Sequence, residues 1–84
     1  MKPIARLGDL ETTFLGVRPI TLCAARGVYV DNRPAAAIGD KVTKFVAVTG
    51  SHSVFVGSRP AHRLADKNSG GGVCITASNT VYVQ

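Results

Sequence analysis

Arg33-Pro34-Ala35-Ala36-Ala37-Ile38-Gly39-Asp40-Lys41 returns, little altered, as Arg59-Pro60-Ala61-His62-Arg63-Leu64-Ala65-Asp66-Lys67. A more divergent copy opens the chain as Lys2-Pro3-Ile4-Ala5-Arg6-Leu7-Gly8-Asp9. Each copy reads basic residue, proline, small residues, one aliphatic, then a small residue and an aspartate. Repeats of this kind dictate an architecture of like units packed against one another.

The likeness extends upstream of the motif. Residues 22–42 align with 48–68 at a constant offset of 26, with seven identities in 21 positions: Val28/Val54, Val30/Val56, Arg33/Arg59, Pro34/Pro60, Ala35/Ala61, Asp40/Asp66 and Lys41/Lys67. The last segment joins at an offset of 27 from the second copy, through Thr49/Thr76, Ser51/Ser78, Val54/Val81, Phe55/Tyr82 and Val56/Val83. The repeating unit is an entry strand, a turn, a Val-aromatic-Val strand, a second turn, and an exit strand ending in aspartate. Three modules result, over residues 20–41, 46–67, and 73–84 completed by 1–9, all within one domain spanning 1–84.

Val28-Tyr29-Val30, Val54-Phe55-Val56 and Val81-Tyr82-Val83 are β-branched and aromatic, which suits a pleated sheet. Asp31-Asn32 and Gly57-Ser58 follow the first two as two-residue loops of residues that tolerate positive φ, the chemistry of tight hairpin turns. Each motif proline lacks an N–H and belongs at a strand start or an unpaired edge. The third module lacks an exit strand, and the amino-terminal copy lacks a module before it. Val83-Gln84-Met1-Lys2-Pro3, read across the chain ends, reproduces the spacing of Val30-Asp31-Asn32-Arg33-Pro34. The sequence thus predicts an all-β fold: a small pseudo-threefold cone or β-prism of three short antiparallel meanders, with first and last strands paired. Such closure removes a sheet edge. Three linkers, Leu10 to Pro19, Val42 to Ala47 and Asn68 to Gly72, are expected to converge at one end, opposite the hairpin turns.

Bulk composition agrees with a thin, aliphatic core. Aromatics make up 6% of the chain and Trp is absent, while nine Gly and four Pro disfavour long helices. No apolar run approaches the roughly 20 residues of a membrane-spanning helix, and Met1 to Asp9 lack a secretory signal's apolar stretch. The net charge of +5 suits nucleic acid, anionic lipid or an acidic protein, but the cations are dispersed along the chain. Cys23 and Cys74 lie outside any Cys-x-x-Cys pair and read as strand thiols, with a disulfide between them left open.

Pro3-Ile4-Ala5-Arg6, Pro34-Ala35-Ala36-Ala37 and Pro60-Ala61-His62-Arg63 resemble three variants of the proline-alanine-alanine-arginine motif that names the PAAR-repeat family. The small residue and Asp after each copy (Asp9, Asp40, Asp66) and the Gly-Ser and Val-Phe-Val of the second module are similar to it too. The resemblance implies a cone that caps the blunt end of a trimeric β-helical spike, one copy per trimer, in a type VI secretion machine or contractile phage tail. Its vertex would lead into the target cell envelope. The fit to a trimer is physical as well: one pseudo-threefold chain can satisfy three equivalent strand ends. Tyr29, Phe55 and Tyr82 are the candidate spike contacts. The lack of a fused domain leans toward a virion component, made in the cytoplasm without a signal peptide. An effector, if carried, would bind non-covalently.

Many members of that family hold zinc near the vertex through three His and one Cys from the linkers. This chain has Phe14 where a His is usual, no His or Cys in Val42-Thr43-Lys44-Phe45-Val46, and Ser69-Gly70-Gly71 where a Cys is common. His62, inside the motif, is the remaining candidate ligand, and His52 is distant from it. No metal or other cofactor is therefore expected, and Phe14 is expected to pack against Phe45 at the vertex, each ring buried. Asp9, Asp40 and Asp66 read as caps of the linker turns rather than catalytic acids. No nucleophile–base pair or phosphate loop is visible, so no enzyme is expected. The competing reading, a small basic β-barrel binding nucleic acid, needs exposed stacking rings beside a basic groove. With five aromatics, three of them at repeat-equivalent strand positions, little remains to supply them.

Overall fold

The computed structural model describes residues 1–23 and 27–83. Ten short strands follow the chain: β1 Lys2–Pro3, β2 Leu10–Thr13, β3 Gly16–Leu22, β4 Tyr29–Val30, β5 Arg33–Pro34, β6 Lys41–Val42, β7 Phe45–Val46, β8 Phe55–Val56, β9 Arg59–Pro60 and β10 Tyr82–Val83. The described residues form no helix.

Three equivalent hairpins repeat around the molecule. Val30 pairs with Arg33 in β4–β5, Val56 with Arg59 in β8–β9, and Val83 with Lys2 in β10–β1. The third is assembled from the two chain ends, as the sequence reading requires; Gln84 lies outside the described residues. Both intact turns carry positive φ at their two central residues, 54° and 66° at Asp31-Asn32 and 58° and 73° at Gly57-Ser58. That hand of turn matches the strand twist, which explains the Asp, Asn, Gly and Ser found there.

The motif copies close a ring. Bridges join Ile4 to Arg63, Arg6 to Ala35 and Ala37 to Ala61, each copy touching both others. Between them runs a cyclic triplet of hydrogen bonds: Ala5 N donates to His62 O (2.9 Å), His62 N to Ala36 O (3.0 Å), and Ala36 N to Ala5 O (3.0 Å). A second cycle runs from Leu7 N to Pro34 O, Ile38 N to Pro60 O and Leu64 N to Pro3 O, at 2.8–2.9 Å. Residues on this ring are packed by the other two copies on either side. Accordingly Ala5, Ala35, Ala36, Ala37 and Ala61 are all fully buried.

Strand alternation divides the interior in two. Ile4, Ala35, Ala37 and Ala61 face a core with Val30, Val56 and Val83, beside the hairpin turns. Ala5 and Ala36 face the other way, into a core with Ile20, Val42 and Cys74, against which Phe45 packs. The two cores lie on either side of the ring, which gives the molecule a hairpin-turn end and a linker end.

The linkers differ from the expectation of simple connecting segments. The first is a long hairpin, β2–β3, paired from Leu10↔Pro19 to Thr13↔Gly16, and the second is the tight hairpin β6–β7. The third is closed by a Lys67↔Val73 bridge. β2, β3, β6 and β7 together make a four-stranded sheet. Hairpins win because the backbone groups of each linker must find partners at the convergence point, and pairing within the linker supplies them. The constant offset of 26 over 22–42 also needs revision upstream: Ile20 N and Ala47 N bond Asp9 O and Asp40 O equivalently. A register shift between Ile20 and Leu22 accommodates the extra residue as a bulge. Residues 24–26 of that alignment lie outside the described residues.

Candidate functional site

The motif aspartates act within their own copies. Asp9 Oδ2 accepts Arg6 N, Asp40 Oδ2 accepts Ala37 N and Asp66 Oδ2 accepts Arg63 N, each at 2.8 Å. They cap the turn three residues behind them, not the linker ahead, because that turn's N–H groups point inward. In the first and third copies the motif arginine adds its fork: Arg6 and Arg63 each reach both oxygens of their aspartate at 2.8–3.0 Å. The basic residue opening the next copy reaches back, Arg33 to Asp9 (3.7 Å) and Arg59 to Asp40 (2.9 Å). Thr76 Oγ1 and Thr49 Oγ1 donate to Asp9 and Asp66 at 3.1–3.2 Å. The Cys23 thiol stands at the corresponding place beside Asp40, and burial, then that carboxylate, push it up to about 12. Asp9 and Asp40 thus staple neighbouring modules, while Asp66 ties the entry and exit segments of its own module.

At the hairpin-turn end, Tyr29, Phe55 and Tyr82 occupy equivalent strand positions and leave 63%, 57% and 49% of their surface exposed. Their partners across the hairpins are Pro34, Pro60 and Pro3. None of the described residues covers these rings. Asp31, in the first turn, accepts Ser78 Oγ (2.6 Å), Thr80 Oγ1 (2.7 Å) and Arg6 Nη1 (3.0 Å), so first and third modules are tied there too. These donors hold its carboxyl below the usual range.

At the linker end the Phe14 and Phe45 rings meet edge to face with centroids 5.2 Å apart. Burial of both rings does not follow: Phe45 is half-buried, but Phe14 keeps 75% of its surface exposed. Phe14 sits at the turn of the long hairpin, beyond the reach of the core. Gly70 completes the packing, since a Cβ there would stand 2.9 Å from the Phe45 ring.

Between vertex and ring lies a buried polar network absent from the sequence reading. Glu11 and His62, both fully buried, meet with Nε2 2.7 Å from Oε2. Asn68 Nδ2 donates to Glu11 Oε1 (2.8 Å) and Thr12 O (3.0 Å), while Asn68 Oδ1 accepts Gly70 N (2.9 Å). His62 Nδ1 lies 2.9 Å from Thr49 O, a group that only accepts, so Nδ1 carries a hydrogen. Burial pulls the His62 pKa down, but the hydrogen bond and charge of Glu11 outweigh it, and the net shift is upward. His62 and Glu11 thus share a short buried hydrogen bond, and the carboxylate favours the charged form of the imidazole. Pseudo-symmetry places Val42 at the position of Glu11 and Ala36 at that of His62, so the network breaks the threefold pattern at one place. Nothing marked Glu11 or Asn68 in the repeats; Thr49/Thr76 was a visible identity whose role needed coordinates.

The family's zinc was tested against these donors. Glu11, His62 and Cys74 bring ligand atoms within 4.8 Å of one another. All three are already engaged: Cys74 Sγ donates to Thr76 O at 3.1 Å, and burial, then Glu11, push its thiol up to about 12. Zinc sites are built from four N or S donors, whereas this group offers one imidazole, one thiol and one carboxylate, each held by a partner within the chain. No buried side-chain polar atom among the described residues lacks a partner. This donor set differs from the family's three His and one Cys in both number and kind. His52 is exposed and apart from it.

A closed ring of three β modules with one apolar, threefold-patterned end defines a small β-cone. The PAAR motif model matches residues 16–76, and the chain belongs to the PAAR-motif family. No curated protein matches it. The family is a structural one, the spike tip of contractile injection systems. No helix among the described residues is long and apolar enough to cross a membrane.

Proposed function

We propose that this chain caps a trimeric spike, one copy per trimer, with the linker end leading into the target envelope. The observation that carries the reading is the exposed, symmetry-related set Tyr29, Phe55 and Tyr82. Three like rings at pseudo-threefold positions are the complement of three like chain ends. Covering an aromatic of this size contributes about 1.5–3 kcal/mol, so three repeated contacts supply the core of a stable junction. The cap works structurally, without catalysis and without a bound metal, its vertex held by the Phe14–Phe45 contact and the Glu11–His62–Asn68 network. The machine is a phage tail or a secretion apparatus. Co-purification with the partner spike tests the assignment. Phe55→Glu is expected to abolish capture while leaving the melting temperature within a few degrees; undiminished capture by the Phe55→Glu and Tyr82→Glu variants would refute the base contact.

A further inference from the structure

The long hairpin ends in an apolar turn that the core does not use. Phe14, Leu15 and Val17 leave 75%, 42% and 49% of their surfaces exposed. The turn is nevertheless ordered, and its backbone is tied off. Phe14 N donates to Gly70 O at 2.9 Å, Leu15 N to Thr13 Oγ1 at 3.1 Å, and Thr13 Oγ1 to Gly16 O at 2.8 Å. In water such tying off gains little, since solvent would satisfy the same groups. It matters where solvent is removed, because unpaired backbone groups are costly in an apolar medium.

Charge around this end is one-sided. Of the five side-chain carboxylates, Asp9, Glu11, Asp40 and Asp66 are buried, and the exposed one, Asp31, lies in a turn at the opposite end. Lys44, next to Phe45, is exposed beside the apolar turn, and the half-buried Arg18 donates Nη1 to Val17 O at 2.9 Å. Lys41 and Lys67, both exposed, follow two of the motif aspartates at the same end.

We infer that the β2–β3 turn inserts Phe14, Leu15 and Val17 into the interface of an anionic lipid bilayer, with Lys44 and the other exposed lysines of this end, Lys41 and Lys67, facing the headgroups. This deepens the proposal that the linker end leads into the envelope. Shallow burial of an apolar cluster, joined to attraction between cations and anionic lipid, is the combination that gives reversible interfacial binding. Nucleic acid fits less well: Leu15 and Val17 offer no face for base stacking, and Phe14 is the one exposed ring at this end.

The test is flotation of the purified chain with vesicles of phosphatidylcholine, with and without phosphatidylglycerol, alongside single-stranded DNA retention at matched salt. Binding is expected only to the anionic vesicles. Leu15→Ser/Val17→Ser is expected to weaken it at least about tenfold, and Lys44→Gln about fivefold, with melting temperatures near wild type because these side chains are exposed and take no part in the Phe14–Phe45 contact. Phe14→Trp should show a blue-shifted emission on anionic vesicles. No binding to anionic vesicles, or unchanged binding by the serine variant, overturns the inference. So does loss on Phe55→Ser instead, or DNA retention that tracks the same variants. The assay needs no spike, so failure of capping leaves it interpretable, and failure here leaves capping standing.

Discussion

Replacing Glu11 with valine, the residue its pseudo-symmetric partner Val42 already supplies, leaves the buried His62 without its carboxylate partner. Both side chains are fully buried and 2.7 Å apart. Opposite charges about 4 Å apart at an effective dielectric near 20 attract by about 4 kcal/mol, which agrees with the roughly 3–5 kcal/mol measured when one half of a buried pair is removed. In a domain this small that lowers the melting temperature by roughly 12–40 °C. The double variant Glu11→Val/His62→Leu removes both charges, roughly keeps the volume and is expected to recover most of the loss. pH separates this from mere packing. The folded His62 pKa is raised, so its contribution is complete below the unfolded value of about 6.5 and disappears as pH rises through the folded value. The gap between wild type and Glu11→Val should therefore narrow on the alkaline side. Urea titrations of wild type, both single variants and the double give the coupling energy. A double variant as unstable as the sum of the singles, or a gap that widens with pH, would refute the ion pair.

Ala65 holds φ 71° where the other copies have Gly8 and Gly39 at 88° and 93°. Ala65→Gly should stabilise by about 0.5–1 kcal/mol, read as a higher urea midpoint, because it relieves a left-handed alanine. Burial alone would raise the Asp66 carboxyl, but the Arg63 fork and backbone N–H hold it below its usual range. Its contribution is present above about pH 4 and lost as pH falls through the folded value, so Asp66→Asn should flatten the acid limb of a stability–pH profile while lowering stability at neutral pH. Purified protein should carry well under one equivalent of zinc or iron by elemental analysis, and a chelator should leave its melting temperature unchanged.

The ring was legible because its determinants are local and repeated. Val-aromatic-Val, a turn pair tolerant of positive φ, and a proline at the strand start fix each hairpin, and the interrupted third module forces the chain ends together. The motif alanines were visible as letters, but that they meet in one hydrogen-bonded ring of three copies emerged only in three dimensions. What stayed hidden was the departure from symmetry. Glu11 and His62 are 51 positions apart and sit opposite an alanine and a valine in the other modules, so no repeat comparison could pair them. The bulge at Ile20–Leu22 was masked because an offset of 26 fits everything after it. Phe14 was recognised as a contact of Phe45, but its exposure depends on how far the long hairpin extends, which composition does not specify.

The central claim is that one polypeptide supplies a threefold surface to a threefold partner. Native mass spectrometry of the co-purified complex measures this most directly. The account predicts one copy of this chain for every three spike chains, with no larger assembly on titration; three copies per trimer, or a one-to-one ratio with a single spike chain, would contradict it.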